Sequence, residues 1–157
     1  MGSGLDAFLK EMQKKIDEET REDFGEIVYQ RWQNPLYMGV MDNPDGSAIV
    51  RGTCGDAMQI FLKIQNDRVV QASFQTDGCG PTVVCGSYAV EMSLQKRVED
   101  LFSISGQVIL SRLGGLPPEH RHCAFLAAES LQAAADDYMV KQTKKAGIRK
   151  EELSGSS

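Results

Sequence analysis

Absences narrow this chain before any motif does. No two cysteines stand in a C-x-x-C spacing, which excludes the zinc-ribbon and thioredoxin patterns. No apolar run approaches the roughly 18–20 residues that cross a bilayer, so no membrane partner is expected. Positive charge is also short. Lys and Arg number 17 against 22 Asp and Glu, a formal net charge of -5, and a phosphate-binding partner needs a basic face. Nucleic acid is therefore excluded as the main partner. The one concentrated basic stretch, Lys141 to Lys150, reads as a solvated tail. The opening Met1-Gly2-Ser3-Gly4 lacks signal-peptide architecture, so a cytoplasmic location is expected.

What is present suits one soluble domain. The chain has 157 residues, 41% hydrophobic and 25% charged, enough for a core that needs no disulfide staples. Four cysteines in a reducing compartment are not a disulfide framework. Three of them sit in distinctive surroundings. The first is Gly52-Thr53-Cys54-Gly55-Asp56, the second Asp77-Gly78-Cys79-Gly80-Pro81, and the third closes Leu116-Pro117-Pro118-Glu119-His120-Arg121-His122-Cys123. Glycine beside the first two thiols is expected to keep their surroundings open. A carboxylate follows Cys54 at two residues and an imidazole precedes Cys123. Three sulfurs plus Asp or His suit a soft transition metal or an iron–sulfur cluster, and any joint site must be assembled by the fold.

Periodicity places these residues on elements. Leu5, Phe8, Leu9, Met12 and Ile16 recur at helical spacing. Phe24, Ile27, Val28 and Trp32 read as one face of a second helix, which must stop near Asn34-Pro35 because proline disfavours helical geometry in the residue before it. Met58, Ile60, Leu62 and Ile64, then Val70, Ala72 and Phe74, alternate as two half-buried strands joined at Asn66-Asp67. Ala48 to Thr53 supplies a third strand. Pro81 suits the first turn of a deeply buried helix carrying Val83, Val84, Tyr88, Met92 and Leu94. A short helix from Gly106 to Leu113 stops at Gly114-Gly115. A last helix, starting near Pro118, carries Cys123, Ala127, Leu131, Ala134 and Tyr138. Cys54 thus falls between two strands, while Cys79 and Cys123 fall at helix N-termini, which favour the thiolate. The three thiols are expected to converge near the surface at one edge of the sheet.

From Phe24 to Tyr138 the chain resembles the IscU/NifU-type scaffold proteins on which iron–sulfur clusters are assembled. The resemblance is carried by Asn34-Pro35, Cys54-Gly55-Asp56, Gly78-Cys79, Glu91, Leu116-Pro117-Pro118, His122-Cys123 and Ala133 to Tyr138. It implies an α+β fold with a three-stranded antiparallel sheet against a layer of helices. It divides the chain into an N-terminal helical extension (1–21), the scaffold domain (22–140) and a charged tail (141–157). It implies an assembly scaffold rather than an enzyme, with no catalytic residue. A cysteine desulfurase would supply persulfide sulfur, iron or electron donor proteins would complete a [2Fe-2S] cluster, and apo iron–sulfur acceptor proteins would receive it. By position Cys54, Cys79 and Cys123 match the family's cluster ligands, Asp56 the aspartate that keeps the cluster transferable, and His122 an alternative fourth ligand. Zinc occupies the same site in relatives, and a homo-oligomer is compatible with the family.

The chain departs from the family at three places. Cys85 stands where a small residue such as serine is usual. The chaperone-recognition segment reads Leu116-Pro117-Pro118-Glu119-His120, without its lysine. Residues 5 to 20 extend upstream of the usual start.

Each candidate also has a plainer reading. Free cysteine is commonly a small core hydrophobe, and that is the preferred reading of Cys85 over an auxiliary thiol. Asp56 can cap a turn, His122 can pair near a helix start, and His120 reads as a surface residue. The Phe8/Met12 stripe is core or partner surface. Two competing functions remain on these residues. One is a zinc-bound sulfurtransferase that relays desulfurase sulfur without holding iron. The other is a structural metal module, whose folding would depend on the metal.

Overall fold

Alternation in the middle of the chain builds the sheet. In the computed structural model, residues 3–53 and 55–155 are described, with side chains over 4–53 and 55–146. Met58, Ile60, Leu62 and Ile64 share one buried face of β2 (Ala57–Gln65). Strand β2 lies between β1 (Gly46–Arg51) and β3 (Arg68–Thr76), antiparallel to both, in the order β1-β2-β3. The hairpin turns at Asn66 and Asp67, both with positive φ (53° and 60°), as a tight two-residue connection demands. A register shift between Lys63 and Ile64 brings Ile64 opposite Val69. Val69 is consequently buried and Val70 is 38% exposed, whereas simple alternation placed Val70 inside. A bulge changes the phase of the strand beyond it.

Helices cover the buried face, giving the α+β architecture expected. Helix α3 (Gly80–Ser93) packs on β3, and α5 (His122–Gly155) packs on β1 and β2. Buried alanines on α5 (Ala124, Ala127, Ala128, Ala134 and Ala135) let its backbone lie close to the sheet. A Cβ at Gly46 would stand 2.5 Å from the Ala134 carbonyl oxygen. Between them α4 (Gly106–Leu113) is bounded by Ser105, whose side chain accepts from the Val108 amide, and by Gly114 in the left-handed conformation. Both ends fall where the sequence places them.

The N-terminal region differs more. Helix α1 (Ser3–Phe24) and α2 (Glu26–Gln33) are separated by Gly25 at φ 87°. Phe24 therefore ends the first helix rather than joining the apolar face of the second. Val28 is buried there, but Ile27 is 46% exposed. The α1 stripe of Leu5, Phe8, Leu9, Met12 and Ile16 is exposed along its length, so it is surface and not core. Helix α2 is tied to α3 by Arg31, which donates to Ser87 Oγ (2.8 Å) and Glu91 Oε1 (2.9 Å) and stacks over Tyr88. At the other end, α5 runs continuously through residue 140 to Gly155, so the expected boundary of a charged tail falls inside a helix. Among the described residues no helix is long and apolar enough to cross a membrane.

Candidate metal centre

Two strand ends and two helix starts meet at one edge of the sheet. The β1–β2 loop is drawn tight by the Gly52 amide donating to the Asp56 carbonyl (2.7 Å) and the Gly55 amide to the Gly52 carbonyl (3.1 Å). Arg51 Nη1 adds a bond to the Gly55 carbonyl. Gly55 needs its φ of 90° for this turn, and a Cβ there would meet open space. Cys54 itself lies outside the described residues. The neighbouring β3 end is stitched to this loop. Asp77 Oδ1 accepts from the Ala57 amide (2.8 Å), and Thr76 Oγ1 donates to the Ala57 carbonyl (2.5 Å). Two of the three cysteine-bearing loops are thus joined by their own flanking residues.

Cys79 is the N-cap of α3. Its backbone is extended (φ -80°, ψ -174°), its carbonyl accepts from the Val83 amide (3.0 Å), and its side chain is exposed and makes no capping bond. The free amides of the first turn and the helix dipole favour an anion there. Pro81 occupies the first turn as expected. The neighbouring glycines do something other than open the thiol. A Cβ at Gly78 would lie 2.7 Å from Thr82 Cβ, and one at Gly80 would lie 2.0 Å from the Trp32 ring. Close packing requires these two glycines, whereas access fits only Gly55.

Cys123 enters from the first turn of α5, and it is buried, not at the surface: 1% of it is exposed. His122 Nε2 lies 3.7 Å from its Sγ. Thr82 Oγ1 lies 3.3 Å from the same sulfur and donates to Asp56 Oδ2 at 3.2 Å. A chain of contacts therefore runs from the half-buried Asp56 through the fully buried Thr82 to Cys123 and His122. Sequence reasoning missed Thr82. The signal was a single hydroxyl in the otherwise apolar run Pro81 to Cys85, one turn past Cys79.

Cys85 lies deeper in α3 and is fully buried. Burial, and then the neighbouring Cys123, push its thiol far above the ordinary range. It is held as a neutral thiol, which matches the small-hydrophobe reading. His120, expected at the surface, is half-buried with its ring 5.2 Å from that of Phe24. Phe24 in turn meets Trp32 edge-on at 5.4 Å. An aromatic chain thus connects the α1–α2 junction with Gly80 on one side and the approach to Cys123 on the other. Leu116 is buried, while Pro118 and Glu119 of the same segment are exposed. Among the described residues no group of three or more His, Cys, Asp or Glu side chains is already arranged to hold a metal ion. Asp56, His122 and Cys123 are nonetheless linked, with Cys79 one helical turn before Thr82. This donor set of oxygen, nitrogen and sulfur fits a thiophilic metal or cluster.

Comparison with known proteins identifies the family. The model of the NifU-like N-terminal domain family matches residues 23–145. The iron–sulfur cluster assembly scaffold protein IscU 1 of Archaeoglobus fulgidus is 34% identical over 134 residues, spanning 82% of this chain and 88% of that protein. The scaffold protein IscU of Aquifex aeolicus is 33% identical over 123 residues, spanning 76% and 78%. The iron–sulfur cluster assembly enzyme IscU of Drosophila melanogaster is 35% identical over 127 residues, spanning 78% and 82%. A crystal structure of a NifU-like N-terminal protein from Brucella abortus shares the fold with a TM-score of 0.62 at 15% identity, over 77% of this chain and 97% of that one. The chain belongs to the family of the NifU-like N-terminal domain, to which its IscU-type scaffold relatives correspond.

Proposed function

We propose that this protein is a scaffold on which an iron–sulfur cluster is assembled and from which it is handed to apo-proteins. The observation that carries the reading is the Asp56–Thr82–Cys123 chain, closed on one side by His122 and on the other by the helix that Cys79 caps. Relatives of comparable length bear the name of such scaffolds.

Cys79 is the sulfur acceptor in this reading, because it is the exposed thiol at a helix N-terminus. Its thiolate attacks the outer sulfur of a persulfide carried by a cysteine desulfurase. The donor's S–S bond breaks, the donor thiolate leaves, and Cys79 becomes the persulfide. Reducing that sulfur to sulfide takes two electrons from an electron donor protein. Iron then joins it, and the cargo is a [2Fe-2S] cluster held by Cys54, Cys79 and Cys123. Asp56 supplies the fourth position with an oxygen ligand, poorer than thiolate for iron, so the cluster can leave. His122 is the alternative at that position, and zinc fits the same donors. Cys85, neutral and buried, stays out of the ligand set.

Anaerobic reconstitution with iron, sulfide and a desulfurase tests the reading. A red-brown protein with charge-transfer absorption in the visible range is expected, lost when Cys79 or Cys123 is replaced by alanine. A colourless product that retains tight stoichiometric zinc and still stimulates the desulfurase under iron chelation would overturn it.

A further inference from the structure

Thr82 has one hydroxyl proton and two claimants. Its Oγ1 lies 3.2 Å from Asp56 Oδ2 and 3.3 Å from Cys123 Sγ, and the residue has no exposed surface. It packs directly against Gly78, where an added Cβ would come within 2.7 Å of its Cβ and Cγ2. A hydroxyl is one donor with two acceptor sites, a carboxylate accepts only, and a thiolate accepts only. With Thr82 donating to Asp56, a hydrogen bond between Thr82 and Cys123 must run from the thiol to the Thr82 oxygen. Once a metal holds Cys123 as thiolate, that proton is gone. Two acceptors then face the single Thr82 hydroxyl proton, with His122 Nε2 a further neighbour of the sulfur at 3.7 Å.

We propose that Thr82 is a positioning residue that passes its single hydrogen bond from Asp56 to Cys123 when the site fills. This inference rests on Asp56 and Cys123 being ligands of the cargo. In the empty protein Thr82 latches the Asp56 carboxylate onto α3, holding the first loop beside the third cysteine. In the loaded protein it donates to the coordinated sulfur, and Asp56 is released toward the metal. Ligation by Cys123 and availability of Asp56 become linked through one side chain. The swap is favourable because a donor aimed at a ligating sulfur stabilises the metal–thiolate unit, and such second-sphere bonds tune the potentials of clusters.

Thr82→Val keeps the shape and removes the hydroxyl, and Thr82→Ser restores it. Two readouts test the proposal. In the metal-free protein, Thr82→Val should raise the unfolding equilibrium constant about tenfold, the size of one lost hydrogen bond to a charged group. In an Asp56→Ala background the same change should cost about threefold or less, because that partner is already gone. In the reconstituted protein, Thr82→Val should move the midpoint potential of the cluster to a more negative value and Thr82→Ser should return it. Equal cost of Thr82→Val in both backgrounds, or a potential identical to that of the unsubstituted protein, overturns the inference while leaving the scaffold reading intact. An unsubstituted protein that takes up no cluster overturns both.

Discussion

Replacing Gly80 with alanine sets a methyl group 2.0 Å from Cε2 and Cζ2 of Trp32, where carbon atoms rest at roughly 3.5–4.0 Å. The indole must therefore retreat by about 1.5 Å, or α2 must lift from α3. Neither path is free. Phe24 stands edge-on against the indole at 5.4 Å, its other side touches His120, and Arg31 one residue away is anchored to Ser87 and Glu91. Overpacking of this kind costs about 1–3 kcal/mol. The opposing gain is the helix propensity of alanine over glycine, at most about 1 kcal/mol in a helix interior and smaller at the first position of α3. A net loss of about 1–2 kcal/mol follows.

Urea unfolding followed by fluorescence measures this directly, because Trp32 is the sole tryptophan. Gly80→Ala should lower the midpoint and shift the native emission, since the indole changes its contacts. Placing the same change in a Trp32→Ala background, followed by far-ultraviolet dichroism, should remove the penalty and leave Gly80→Ala neutral or slightly stabilising. Equal stability and unchanged emission in the tryptophan-containing protein would refute the packing argument, and with it the claim that Gly80 is small for Trp32 rather than for access to Cys79.

Cys79→Ser tests whether the site is separate from the folding core. Serine is a better N-cap than cysteine, so unfolding of the metal-free protein should be unchanged or more resistant by up to about 1 kcal/mol, while cluster uptake fails; an unsubstituted protein that is already unfolded without metal would instead mark a structural metal module. Cys85→Ala should cost about 1 kcal/mol for a small cavity, and Cys85→Ser about 1–3 kcal/mol for a buried hydroxyl, with Mössbauer spectra of the loaded protein unchanged in both; an altered spectrum would place Cys85 among the ligands. Burial pushes the Asp137 carboxyl up, but the Ser47 amide at 3.0 Å and the Lys141 ammonium outweigh it and hold the group below its ordinary value. A carboxyl lowered in the folded state stabilises above its unfolded pKa and loses that contribution as pH falls through the folded value. Asp137→Ala should therefore destabilise at neutral pH, with the difference from the unsubstituted protein shrinking below about pH 4, as read by thermal unfolding across pH.

Local rules made the hairpin and the bounds of α4 legible in the sequence. Alternation from Met58 to Ile64, two turn residues at Asn66-Asp67, and the stop at Gly114-Gly115 act over a few residues, where pattern and structure share one cause. Val70 escaped because a bulge in one strand is a property of the pair. Phe24 escaped because Gly25 lets the chain bend between two helical stretches whose apolar residues look continuous. The α1 stripe could not be told from core by periodicity alone, since periodicity reports that a face is apolar and not what covers it. For the site, sequence could name the donor residues and the elements bearing them. It could not foresee that Cys123 is buried under Thr82, because that follows from how α3 and α5 pack, with no motif of its own.

The burial of Cys123 changes what an open site means here. Cys79 is exposed and Cys123 is not, so on the proposed reading incoming sulfur would meet the two thiols unequally. A persulfide on a bulky donor protein needs in-line access to one thiolate, and Cys79 at the start of α3 offers that access. Cys123 lies among Thr82, His122 and Cys85. On the proposed scaffold reading, this difference would separate capture from retention: the exposed thiol would take the first sulfur, and the buried one would engage after iron arrives. Asp56, half-buried and latched to the same hydroxyl that touches Cys123, sits between these two environments. An oxygen ligand at the border of water and core is the member of such a set that competes least well with solvent, which is where departure of the cargo would begin.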